Sequence, residues 1–193
     1  MLKTNISKQD RPALILVDIQ QGFDDLEHWG GHRNNPDAET NAGKLLELWR
    51  QNELPVFHVK HCSTTPGSRL AEGHPGNEFK KIVQPKAGEP VIRKKVNSAF
   101  IGTDLKRRLD NANITKVVII GLTTDHCVST TARMAGNYGY DTYVVSDATA
   151  TFDKIAANGQ KYSAEIIHET ALASLHSEFA MVITTAELMN AMA

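Results

Sequence analysis

Ala13-Leu14-Ile15-Leu16-Val17, set between Pro12 and Asp18, decides the fold. An unbroken apolar run of this length reads as a strand covered on both faces, as parallel sheets require. A half-exposed strand would alternate instead. The same pattern returns at Lys116-Val117-Val118-Ile119-Ile120, which runs into Gly121. Shorter strands read at 55–59, 89–93, 141–146 and 179–183. Between them the apolar period lengthens. Ala42, Leu45, Leu46, Leu48 and Trp49 mark a helix that stops near Asn52. Further helices are expected at 103–109, with Thr103 as N-cap, at 125–138, at 162–175 and from Thr185. In the helix over 162–175, Ile166, Ile167, Ala171, Leu172 and Leu175 are expected to share one face. Strand alternating with helix means parallel βαβ units with right-handed crossovers. The expected fold is α/β, a Rossmann-like three-layer α/β/α sandwich around a six-stranded parallel sheet. Two stretches stand outside the rhythm: a polar loop over 20–36 and a Pro-, Gly- and Ser-rich excursion over 62–90.

The whole chain, 1–193, reads as one domain, with 41% hydrophobic and 22% charged residues. Lys plus Arg number 21 against 22 Asp plus Glu, a net charge of −1, so composition gives no support for nucleic acid as a partner. The basic cluster Lys106-Arg107-Arg108 reads as a solvated helix face. No run approaches the roughly 20 apolar residues that cross a bilayer, and the first residues lack the apolar core of a leader, so a soluble, cytoplasmic protein without a membrane partner is expected. Two cysteines, Cys62 and Cys127, make neither a disulfide framework nor a zinc motif. No G-x-G-x-x-G follows a strand, so a dinucleotide site is unsupported and no cofactor is called for.

In parallel α/β sheets ligands bind beyond the carboxyl ends of the strands, near the point where strand order reverses. Three such ends carry reactive groups: Asp18 after the first strand, Lys94 and Lys95 after the third, Cys127 at the start of the helix after the fourth. Taken singly, each has a plain explanation: a turn aspartate, a solvated lysine, a small buried thiol. Taken together they form a credible acyl-transfer site. A helix N-terminus favours thiolate over thiol. A carboxylate can take the thiol proton, a lysine stabilises negative charge, and backbone N–H groups can receive an oxyanion.

At these residues the chain resembles the isochorismatase-like cysteine hydrolases. The resemblance rests on ALILVDIQQGF (13–23), VIRKKVNSAFIGTDL (91–105) and GLTTDHCVSTTARMAGNYGYDTYVVSDATA (121–150). The last fits the family pattern G-x-x-T-x-x-C-V-x-x-T-A through Gly121, Thr124, Cys127, Val128, Thr131 and Ala132. The resemblance implies Asp18 as the catalytic acid–base group, Lys94 as the lysine, with Lys95 as second choice, and Cys127 as nucleophile. It also implies a cis peptide at Leu122–Thr123 and an oxyanion hole made by the N–H groups of Thr123 and Cys127. The implied reaction is metal-independent hydrolysis of a C–N bond of a small molecule (an amide, lactam or carbamoyl compound) through a thioester. Isochorismatase proper, a vinyl-ether hydrolase, lacks the cysteine. A homo-oligomer, dimer or tetramer, is implied by resemblance alone.

Phe23, Trp29, His61 and Phe100 are candidates to line a substrate pocket. His58, His61 and His74 fall where nicotinamidases of this superfamily hold a metal, but the Asp-x-His pair is missing and Lys60 would repel a cation, so no metal is expected. His126 adjoins the nucleophile, yet neighbouring side chains on a helix diverge by about 100°, which makes a Cys–His dyad awkward and a pocket-lining role the simpler one. Two other functions compete: a metal-containing amidohydrolase of nicotinamidase type, and a catalytically silent fold member acting as thiol sensor or assembly protein, in which Cys127 would show ordinary alkylation kinetics.

Overall fold

The computed structural model describes residues 5–193; residues 1–4, where the stretch read for a leader begins, lie outside them. Strands β1 (Ala13–Val17), β2 (Val56–His61), β3 (Val91–Lys94), β4 (Lys116–Leu122), β5 (Asp141–Ala150), β6 (Lys154–Ile155), β7 (Lys161–Tyr162) and β8 (Met181–Ile183) alternate with helices α1 (Leu26–Trp29), α2 (Ala38–Gln51), α3 (Leu105–Asn111), α4 (Ser129–Asn137), α5 (Ala164–Leu175) and α6 (Thr185–Ala191). Six strands form one parallel sheet in the order β3-β2-β1-β4-β5-β8, as the apolar runs predict. The chain winds outward from β1 in one direction and from β4 in the other. The reversal therefore falls between the carboxyl ends of β1 and β4.

Pleating sends alternate residues to opposite faces, and each face has its own core. Ala13, Ile15 and Val17 pack with Val117, Ile119, Leu105, Ala132 and Leu175 under α3, α4 and α5. Leu14 and Leu16 pack with Val118, Ile120, Leu45, Trp49 and Leu188 under α2 and α6. Trp49 is fully buried, and its indole N–H donates to the Pro12 carbonyl at 2.9 Å, so its one polar atom is satisfied. Among the described residues no helix is long and apolar enough to cross a membrane.

Several boundaries differ from expectation, each for an identifiable reason. Strand β5 runs to Ala150, because a register shift between Ile119 and Gly121 bulges its middle and hides the continuation within a polar stretch. The buried face of α5 is Ala164, His168, Leu172 and Leu175, while Ile166 is 51% exposed. Leu172 and Leu175 are buried as expected, but the face is centred away from Ile166 because a buried histidine sits on it. Helix α3 starts at Leu105 with Asp104 at the cap position; Thr103 instead donates to the Ala99 carbonyl. The small antiparallel sheet of β6 and β7 is additional to the six expected strands. The 62–90 excursion is not merely a surface feature. It buries Leu70, Phe79 and Val83 and bridges to Gln20 through Phe79.

Candidate active site

Asp18 follows the last residue of β1 in the left-handed region, φ 52°, and its side chain is fully buried. Lys94 is the last residue of β3. The pleat that buries Lys94 leaves Lys95 exposed, which decides between the two lysines. Their side chains meet at the sheet edge, with Lys94 Nζ 2.6 Å from Asp18 Oδ2 and neither accessible to solvent. Lys94 Nζ also lies 3.3 Å from Cys127 Sγ. The sheet thus brings together Asp18, Lys94 and Cys127 from three strand ends.

Cys127 is presented differently from expectation. The helix predicted over 125–138 begins as a wide π-type turn, Thr124–Val128, and becomes α-helical at Ser129. In this turn the Thr123 carbonyl accepts from the N–H groups of His126 and Val128, not from that of Cys127. The peptide between Leu122 and Thr123 is cis, and the Thr123 N–H has no hydrogen-bond partner among the described residues. The residues of the 121–132 pattern hold this turn. Gly121 has φ 122°, and a Cβ there would overlap the Val17 carbonyl. Thr124 Oγ1 lies 2.9 Å from Nδ1 of buried His168 on α5. Thr131 Oγ1 accepts from the Ala99 N–H at 3.1 Å, tying the loop after β3 to α4.

The electrostatics also depart from the sequence argument. Burial and the Asp18 carboxylate push the Cys127 thiol far up from its ordinary pKa, and the Lys94 ammonium offsets this only in part. Desolvation outweighs the pull of the helix terminus toward a thiolate. Cys127 therefore rests as a thiol. Asp18 Oδ1 is buried with no hydrogen-bond partner, and a carboxylate oxygen of Asp18 lies within 4.8 Å of Cys127 Sγ. A buried carboxylate with one oxygen unpartnered, packed this close to a thiol, is placed to take its proton.

A cavity of about 180 Å³ opens over Cys127, lined by Phe23, Trp29, His61, Ser63, Leu70, Asn97, Thr123, His126 and Lys154, among others. Phe23 and Trp29 lie with ring centroids 4.6 Å apart and planes tilted by 32°, and the Trp29 indole donates to the Gly22 carbonyl. Phe100 is not in this wall. It is buried in the core beside Tyr138 and Tyr140, so its candidacy is withdrawn. His126 lines the cavity with its ring on Asp125 at 3.3 Å. Larger depressions occur elsewhere, such as one of about 570 Å³ along α5, whose lining contains no cysteine.

The three histidines weighed as metal ligands are dispersed. His58 pairs with Glu89 at 2.8 Å, His74 accepts from the Gly76 N–H, and only His61 reaches the site. Asp18, His61 and Cys127 do offer three ligand atoms within 4.8 Å of one another. The Lys94 ammonium lies within hydrogen-bonding distance of all three, so the charge a cation would supply is already provided by the chain. Ser63, Asn97 and Lys154 escaped the sequence reading. They come from loops and from the β6–β7 hairpin, and no periodic pattern marks them.

Sheet order and site position define the class, a parallel α/β protein with a buried acid–lysine–thiol cluster at its switch point. A profile for the isochorismatase domain matches residues 12–187. The isochorismatase family protein YrdC of Bacillus subtilis is 50% identical over 94% of this chain and 96% of its own. An isochorismatase-family structure from Chromobacterium violaceum superposes with a TM-score of 0.90 at 41% identity, covering 94% of this chain and 93% of that one. Maleamate amidohydrolase of Pseudomonas putida is 27% identical over 93% of this chain and 86% of its own. The chain belongs to the isochorismatase family of hydrolases.

Proposed function

We propose that the protein is a cysteine amidohydrolase that cleaves the C–N bond of a small amide through a thioester on Cys127, without a metal. The observation that carries this reading is the buried Asp18 carboxylate, with Oδ1 unpartnered and an oxygen within 4.8 Å of the sulfur of a thiol that rests protonated. A silent thiol protein has no use for a desolvated base with an unsatisfied oxygen packed this close to the sulfur. The amide activity of the Pseudomonas putida relative is consistent with it.

In the proposed sequence Asp18 takes the Cys127 proton as sulfur attacks the carbonyl carbon. The carbonyl oxygen becomes an oxyanion received by the N–H groups of Thr123 and Cys127. The C–N bond breaks, Asp18 passes its proton to the leaving nitrogen, and ammonia or an amine departs. Water then enters, gives a proton to Asp18 and attacks the thioester. The C–S bond breaks, sulfur recovers its proton from Asp18, and the carboxylic acid leaves. Lys94 donates to Asp18 and to sulfur throughout, so the charge moving between them is never left bare in a desolvated site. The cavity volume suits a substrate of few heavy atoms, lying against the Phe23–Trp29 wall.

The test is intact-mass spectrometry of protein quenched in acid during incubation with a panel of small amides. A mass gain equal to an acyl group, present in the wild type and absent in Cys127→Ala, is expected. Amide turnover that survives Cys127→Ala undiminished overturns the proposal. Alkylation rate does not discriminate between the competing functions, because a buried thiol pushed up in pKa reacts slowly in either case.

A further inference from the structure

Lys94 has three ammonium N–H donors, and three acceptors surround them: Asp18 Oδ2 at 2.6 Å, His61 Nδ1 at 2.9 Å and Cys127 Sγ at 3.3 Å. The first and third are the reacting groups of the proposed mechanism. His61 has no part in it so far, yet the structure holds this residue with unusual care. Its backbone N–H donates to Gln20 Oε1 at 2.9 Å. Its carbonyl accepts from Gln20 Nε2 at 3.1 Å and from Asn77 Nδ2 at 2.9 Å. Gln20 is fully buried and Asn77 nearly so, so two amide side chains are desolvated in order to fix the end of β2. Burying polar groups this way is tolerated only when they are satisfied, and here the His61 backbone satisfies them together with the carbonyls of Asn77 and Leu70.

A histidine that accepts from an ammonium at Nδ1 must carry its own proton on Nε2. The His61 ring lines the cavity over Cys127, and its Nε2 makes no hydrogen bond among the described residues. We propose that Lys94 holds His61 as the neutral Nε2–H tautomer, and that this N–H is a specificity-determining donor to an acceptor oxygen, carbonyl or carboxylate, on the acyl part of the substrate. The acyl assignment rests on the amidohydrolase reading above. The ring shares its ammonium with the sulfur that carries the acyl group, while the nitrogen part departs. His61 is thereby also a positioning residue, because it occupies the third donor of Lys94.

The charged and titratable groups against the ring are Asp18 from the end of β1, at 3.9 Å, Lys94 from β3 and Cys127 from the turn after β4, with His126 and Lys154 lining the same cavity. Burial and the Lys94 charge hold the His61 pKa below its ordinary value, with Asp18 opposing them. A charged His61 would lose its acceptor and confront a second cation.

Nitrogen-15 NMR of histidine-labelled protein tests the tautomer whether or not any amide is turned over. The His61 signals are assigned by their loss in His61→Gln. A proton on Nε2 and a bare Nδ1 at pH 7 are expected, with a titration midpoint that rises in Lys94→Met. A proton on Nδ1, a charged ring at pH 7, or a midpoint unmoved by Lys94→Met overturns the assignment. The donor role is read from the rate of acyl-adduct formation. His61→Gln, which retains an acceptor and an N–H donor, is expected to stay within a few-fold of wild type, and His61→Phe to lose about 10- to 100-fold. Equal rates for His61→Phe and wild type overturn it. If the wild type forms no adduct with any amide, the amidohydrolase reading fails, while the NMR result still decides the tautomer.

Discussion

Asp18 and Lys94 form an ion pair with both side chains inaccessible, and such pairs are costly to break from one side. Removing one partner strands a buried charge, typically at about 3–5 kcal/mol, whereas replacing both can be nearly neutral. Lys94→Met should therefore destabilise more than the double variant Asp18→Asn/Lys94→Met, as urea unfolding would reveal. Should the double variant prove the weaker, the pair is contributing net stability rather than function. Asp18→Asn is also expected to slow acyl-adduct formation by about 10²- to 10⁴-fold, the usual contribution of a positioned general base. Because burial and the Asp18 carboxylate hold Cys127 as a thiol, its alkylation by iodoacetamide should keep accelerating with pH beyond the ordinary thiol range. A plateau near neutral pH would mean a resting thiolate and would remove the need for Asp18 as base. Residue identity and strand-end position pointed to Asp18, Cys127 and the pair Lys94 and Lys95 from the sequence, and the family resemblance favoured Lys94. The protonation state of the thiol was not legible, because it depends on how completely water is excluded.

The elements set these groups against one another, and the contact of β1 with β4 matters most. Val17 stands opposite Gly121 in the ladder, and Gly121 adopts φ 122° with no room for a Cβ. Gly121→Ala would drive the carboxyl ends of β1 and β4 apart and separate Asp18 from Cys127. A loss of about 3 kcal/mol or more is expected from the strained φ and the overlap together, with acyl-adduct formation falling in the same variant. Thermal unfolding and adduct mass would check both. A variant as stable and as active as wild type would show that the strands can separate without consequence. At this scale the sequence read the β1 and β4 cores correctly, since unbroken apolar runs have few alternatives. It missed the π-type turn at Thr124–Val128 and the extension of β5 to Ala150. Both are departures from regular periodicity, and a period-based reading averages over such departures.

Across the whole molecule, loops far apart in sequence are stitched to the sheet by buried polar groups and ion pairs. Glu39 on α2 receives Arg33 from the 20–36 loop and Lys80 from the 62–90 excursion. Burial alone would raise its pKa, but hydrogen bonds and charge from Arg33 and then Lys80 hold it at about 2. In the unfolded chain a glutamate titrates near about 4.3, so between these values the unfolded state binds the extra proton. The stabilisation, on the order of 3 kcal/mol, is complete above roughly pH 4.5 and lost as pH falls toward 2. Glu39→Gln should therefore flatten the acid limb of a stability-against-pH curve; an unchanged acid limb would place the acid sensitivity elsewhere. This network was invisible in the sequence because its members lie in three segments with no shared pattern, and the same holds for Ser63, Asn97 and Lys154 in the cavity wall. The sequence by itself determined the parallel sheet, the strand ends that carry chemistry and the family, because apolar runs and local motifs are encoded over a few neighbouring residues. Only the tertiary structure decided that Cys127 is a buried thiol, that Phe100 belongs to the core, and that His61 completes the coordination of Lys94. Those facts depend on desolvation and on distances between segments, which exist only once the chain has folded.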